Sequence, residues 1–188
     1  GLSIRPGYGP PGAVVELAGR DFGGDQGDGS VNVNGVQAQI QAWSDSLIRF
    51  VVPEKAVGGV VTLTLRGREK TAGFFKVTRV FDVSSSKVTS GAEIVITGEG
   101  WGDEKAGSSL VFADNVAAII SSWSDTRIVL QVPAGARSGS LSATVQNVLF
   151  AISEMTVNSI ASVSPERGIA DDQIEISGNG FGSSQGAG

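Results

Sequence analysis

The sequence predicts an all-β protein made of tandem copies of one small sandwich of two antiparallel sheets. Three observations carry that expectation. A glycine-rich phrase with an aromatic centre returns as Gly19-Arg20-Asp21-Phe22-Gly23, Gly98-Glu99-Gly100-Trp101-Gly102 and Gly178-Asn179-Gly180-Phe181-Gly182, the aromatics 79 and then 80 residues apart. A fixed period of that size marks repetition of a whole domain. Apolar residues alternate with a period of two, and no stretch sustains a helical stripe. Gly- and Pro-rich turns separate about seven short strands in each copy, the pattern of a sandwich.

The elements follow in order. Val15 and Leu17, matched by Ile94 and Ile96 and by Ile174 and Ile176, place alternate side chains on one face. Val31 and Val33, the pair Asn34-Gly35, and then Val36, Ala38 and Ile40 predict a hairpin. Asn-Gly suits a two-residue turn in which both central residues need positive φ. Asp114-Asn115 holds the same place in the second copy and is equivalent for a left-handed turn. Ile48, Phe50 and Val52 form the next strand, as do Ile128, Leu130 and Val132, and Pro53 or Pro133 ends it. Val61, Leu63 and Leu65 supply a further strand, and Phe75 and Val77 close the copy. Trp43-Ser44-Asp45 recurs as Trp123-Ser124-Asp125. The extra residue of copy two falls between Gly102 and Val111, in a surface loop that tolerates a length change. The domain boundaries expected are 1–79, 80–159 and an incomplete third copy at 160–188.

Composition narrows the function. The chain has 188 residues, no cysteine, no histidine and a formal net charge of −5. Without cysteine there is no disulfide and no thiolate chemistry, so each copy must rest on its own core and its neighbours. The first copy carries a slight excess of basic residues, while the second and third are acidic. A nucleic-acid binder needs a concentrated basic face. Only Arg66-Gly67-Arg68-Glu69-Lys70 approaches one, and it reads as the solvated tip of a hairpin. No apolar run of 18 residues exists, so no membrane insertion is expected. The beginning at Gly1, with no initiator methionine or leader, reads as an excerpt of a longer polypeptide.

Together these residues resemble the IPT/TIG family, the immunoglobulin-like fold shared by plexins and certain transcription factors. The family pattern opens on a proline and glycine turn and an apolar strand running into Gly-x-x-Phe-Gly. A tryptophan segment with Ser-Asp and isoleucine follows, then Val-Pro and a glycine before the last hairpin. The chain repeats nearly all of this twice and its opening a third time. Trp101 replaces the usual phenylalanine and Ser85 the opening proline. The resemblance implies tandem immunoglobulin-like sandwiches with no cofactor and no catalysis. It also implies a spacer, adhesive or carbohydrate-associated role. Rel-type members that bind DNA use basic loops absent here. Plexin-like members are stapled by cysteines and often glycosylated, which favours a prokaryotic source for this chain.

Several fragments imitate chemistry. Gly182-Ser183-Ser184-Gln185-Gly186 fits the serine-hydrolase elbow, which needs a histidine base that the chain lacks. The glycine phrase suggests a phosphate cradle, yet no helix follows it. Its aromatics are expected to plug the core. Asp21, Asp25 and Asp28 are candidate hard-oxygen ligands for Ca²⁺. The loop of copy two offers only Asp103 and Glu104, and copy three has Ser183-Ser184-Gln185, so a solvated turn is the expectation and no metal is assigned. Trp43 and Trp123 are expected to serve structural packing, with ligand stacking the lesser alternative. Tyr8, in the opening turn, is read as exposed and too isolated to define a sugar site.

The junctions at Thr78-Arg79-Val80 and Asn158-Ser159-Ile160 have no linker, which predicts limited bending and an elongated rod. Phe81 is expected to pack at the first of them. The 29 residues from Ile160 make two strands with bare apolar faces. Either the chain is truncated there or a neighbouring chain donates strands. The function expected is a non-catalytic structural or adhesive spacer of a large bacterial surface-exposed or secreted protein. Its partners would be other domains of the same polypeptide and a protein or glycan at a cell surface. The alternative is a carbohydrate-binding accessory module of a secreted polysaccharide-active enzyme.

Overall fold

Alternation becomes strand pairing throughout the computed structural model, which describes residues 1–103, 105 and 107–184. The first copy contains β1 (Ser3–Arg5), β2 (Tyr8–Gly9), β3 (Val14–Ala18), β4 (Ser30–Val33), β5 (Val36–Gln37), β6 (Gln39–Trp43), β7 (Leu47–Val51), β8 (Gly59–Leu65) and β9 (Arg68–Val77). The second adds β10 (Arg79–Val83), β11 (Lys87–Thr89), β12 (Glu93–Glu99), β13 (Ser109–Phe112), β14 (Val116–Ala117), β15 (Ile119–Trp123), β16 (Arg127–Gln131), β17 (Gly139–Val145) and β18 (Val148–Ser164). β19 (Glu175–Asn179) belongs to the third. The one helical element among the described residues is a 3₁₀ turn at Ala113–Asn115.

Each full copy is a pair of sheets. In the first, one sheet runs β1-β3-β7-β6 and the other β2-β9-β8-β4-β5. The second repeats both orders as β10-β12-β16-β15 and β11-β18-β17-β13-β14, and β19 pairs with the far end of β18. Pairing is antiparallel except at the edges, where β2 lies parallel to β9 and β11 parallel to β18. The expected strand through Val36, Ala38 and Ile40 is divided. β5 stays with β4, whereas β6 crosses to pair with β7 in the other sheet. Ala38 is the crossing point, buried and donating its N–H to the Val31 carbonyl at 2.8 Å. A period of two survives such a crossing, so the sequence shows one strand where the fold has two. The Asn34-Gly35 turn has φ of 46° and 81°, and Asp114-Asn115 has 58° and 61°, the left-handed geometry expected of both pairs.

Two separate cores result. Val15, Leu17, Val31, Val33, Ile48, Phe50, Val61, Leu63, Phe75 and Val77 fill the first; Ile94, Ile96, Trp101, Leu110, Phe112, Ile128, Leu130 and Leu141 are prominent in the second. Each of these large side chains contributes about 1.5–3 kcal/mol on burial. Ile174, Ile176 and Phe181 of the third copy, whose counterparts Ile94, Ile96 and Trp101 are sealed, stand exposed, as does Ile160. Two strands offer no second sheet to cover them.

Candidate functional site

The two motifs that recur most clearly in the sequence meet in space. Ser44 and Asp45 form the turn between β6 and β7. The Ser44 hydroxyl accepts the Leu47 N–H at 3.1 Å and donates to the Leu47 carbonyl at 3.0 Å. Asp45 then reaches back to the glycine phrase, its Oδ1 accepting the Gly23 N–H at 3.0 Å and its carbonyl the Phe22 N–H at 3.0 Å. The second copy reproduces this with Ser124 on Arg127 and Asp125 on Gly102, at 3.1 and 3.0 Å. Ser-Asp is therefore a clamp that holds the glycine phrase while its aromatic enters the core. Phe22 is 4 % exposed and Trp101 is fully sealed.

The candidate stacking residues belong to the same assembly. Trp43 ends β6, half-buried, with its ring edge-on to Phe22 at 6.5 Å. Trp123 ends β15 and meets Trp101 edge-on at 5.9 Å, while its indole N–H donates to the carbonyls of Trp101 and Gly102 at 3.2 and 3.1 Å. Asp21, Asp25 and Asp28 are exposed, and among the described residues no group of three acidic side chains comes together in metal-binding geometry. Gln185 and Gly186 of the hydrolase-like fragment, and Glu104, lie outside the described residues.

Sequence reasoning missed the seam between the copies. Thr78, buried between β9 and β10, donates its hydroxyl to the Gly100 carbonyl at 2.5 Å. Its N–H goes to the Gly9 carbonyl at 2.9 Å. A Cβ on Gly100 would lie 2.9 Å from backbone atoms of Val77 and Thr78, at a φ of +70°. Tyr8 is half-buried against the second core and abuts Gly102, which corrects its reading as an exposed residue. Val148 crosses the other way, packing against the first core. Phe81, expected at this junction, is instead 60 % exposed on edge strand β10, where a bulge turns it outward beside the Arg79 guanidinium. The repeat's own periodicity concealed the seam, because Tyr8 and Val148 are departures from it rather than parts of it.

Asp125 serves both purposes. Its Oδ2 accepts from the Lys76 ammonium at 2.8 Å while Oδ1 keeps the clamp on Gly102. The hydrogen bond from Lys76 to Asp125, then the carboxylate's charge, raise the lysine above its ordinary value of 10.5. A raised folded-state value means the contribution is complete below pH 10.5 and is lost as the pH passes the higher value. Lys76 is half exposed, so the pair is worth at most about 1 kcal/mol. Lys76→Gln should lower the denaturant midpoint slightly near neutral pH, and the difference should close in strong alkali.

A model of the IPT/TIG domain matches residues 2–80 and 76–158. The chain belongs to the IPT/TIG family. This IPT/TIG chain is 26 % identical over 203 residues to Fibrocystin-L of Homo sapiens, an alignment covering 95 % of the chain and 5 % of that relative. It thus spans about a twentieth of the curated relative's length. Among solved structures, the plexin A4 extracellular region is 17 % identical with a TM-score of 0.44, over 82 % of this chain and 18 % of that one. A surface glycan-binding protein of Prevotella bryantii is 14 % identical with a TM-score of 0.36, over 79 % and 40 %. No helix among the described residues is long and apolar enough to cross a membrane.

Proposed function

We propose that the tandem IPT/TIG units, 1–79 and 80–159 followed by the opening of a third at 160–188, act as a non-catalytic spacer in a large extracellular or cell-surface protein. The work of such a segment is to hold neighbouring domains at a set distance and orientation. One observation carries the reading: the copies exchange side chains across their seam, Tyr8 packing against the second core and Val148 against the first. Thr78 on Gly100 and Lys76 on Asp125 fix the register. A flexible tether needs no such interlock. The reading does not require the prokaryotic source that the contrast with plexin-like members favours, and the curated relative is human.

Small-angle scattering tests it. The chain should scatter as an elongated particle, and inserting four Gly-Ser residues between Thr78 and Arg79 should broaden the distance distribution. A compact particle, or no change on insertion, would sink the spacer. The carbohydrate-binding alternative rests on Trp43 and Trp123, whose rings are engaged with Phe22 and Trp101. Their replacement by alanine should lower stability; loss of glycan-array binding at unchanged stability would instead favour that alternative.

A further inference from the structure

On the second copy, the face that receives its neighbour is formed by the glycine phrase, Asp125 and the β17–β18 hairpin. Gln146 at the hairpin tip approaches Gly9, Val148 packs against the first core, and Phe150 lies 5.9 Å from Trp101. The corresponding positions of the first copy, 80 residues earlier, are Arg66, Arg68 and Lys70. The two hairpins share one geometry, with φ of 50° and 71° at Arg66-Gly67 and 49° and 63° at Gln146-Asn147. The backbone is conserved between the copies, and the chemistry is replaced.

The replacement is consistent along the face. Arg68 is paired with Leu65 and Lys70 with Leu63, so both cations share the inner side of the sheet with those leucines. Glu69 alternates to the other side. The five residues Leu63, Leu65, Arg66, Arg68 and Lys70 line an open cleft of about 510 Å³. All three cations are exposed, whereas Gln146, Val148 and Phe150 are half-buried. Among the described ion pairs, none involves Arg66, Arg68 or Lys70. Asp21, at a φ of 62°, stands where Gly100 admits the backbone of the preceding copy. Another copy could not seat here as copy one seats on copy two.

We infer that this face of the first copy is a docking surface for an acidic protein segment. Two guanidinium groups and an ammonium around a leucine-bearing cleft match carboxylates interspersed with apolar side chains. Leu65, half-buried beside the cations, offers an apolar contact that a peptide can use and a sulfated glycan cannot, which favours the peptide. The inference is independent of the spacer reading, because it concerns what one end of the unit holds and not how the units are joined.

The test uses the whole chain and a fluorescent eight-residue peptide of alternating glutamate and leucine, titrated at low salt. R66Q/R68V/K70F installs the residues copy two already carries on the same hairpin, and should weaken binding at least 10-fold. Removing the same charge elsewhere, as R127Q/R137Q/R167Q, should change it less than 2-fold. R68Q alone, the milder change, should weaken binding about 3-fold at an unaltered unfolding midpoint, so that misfolding of the triple variant is not decisive. Equal losses in both triple variants, no binding at all, or heparin binding at this face in place of the peptide would each overturn the proposal.

Discussion

Replacing Trp101 by alanine should destabilise the second copy by about 3–5 kcal/mol, enough to remove much of the stability of a domain this size. Trp101 is fully sealed, and it touches Trp123 edge-on and Phe150 at 5.9 Å, so the void would sit where three aromatics meet. The first copy has its own core, so the second should melt in a separate, earlier transition, and the first should lose only what the seam contributed. Trp101→Phe is the informative comparison. Phenylalanine is what copies one and three carry at this place. The indole N–H of Trp101 is buried without a hydrogen-bond partner, and leaving such a group dry costs about 1–3 kcal/mol. Phenylalanine removes that penalty while keeping most of the volume, so its cost should be well under half that of alanine. Denaturant unfolding followed by tryptophan fluorescence and circular dichroism would check both, and equal losses would refute the packing argument.

Gly100→Asp should uncouple the two copies while leaving each folded. The substitution introduces the residue that copy one holds at the same point, Asp21, whose φ of 62° shows that the loop accepts it. Backbone strain is therefore limited to about 1–2 kcal/mol. The obstacle is spatial, since a Cβ there meets the main chain of Val77 and Thr78 at 2.9 Å and neither can rotate away. The seam must open, and with it the bond from Thr78 and the seat of Tyr8. Calorimetry should then resolve two transitions in place of a coupled one, and scattering should show a wider range of shapes. A single unchanged transition would mean that the seam contributes little.

Most of the fold was legible because sandwich strands announce themselves locally. Val15 and Leu17, or Ile128 and Leu130, alternate in any context where one face is buried. Asn34-Gly35 and Asp114-Asn115 state their turn by the positive φ they tolerate. The crossing at Ala38 was not legible, since a strand that changes sheets keeps its period. The site was legible only in part. Both Trp-Ser-Asp and the glycine phrase stand out by recurrence, but nothing local says that Asp45 and Asp125 clamp Gly23 and Gly102 more than twenty residues away. The positions of Trp43 and Trp123 likewise depend on which aromatic lies beneath them.

By itself the sequence determined the repeat, its period, its all-β character and the family, because these follow from spacing and alternation along the chain. The seam was decided only by tertiary structure. Tyr8 and Lys76 have no marked partner in sequence, and they acquire one when the second copy brings Gly102 and Asp125 against them. The polarity of the first copy's hairpin took its meaning the same way: Arg68 and Lys70 are unremarkable until Val148 and Phe150, at the same places, are seen half-buried against the first and second cores. Contacts between residues distant in the chain depend on which surfaces folding presents to each other, and no local preference encodes that choice.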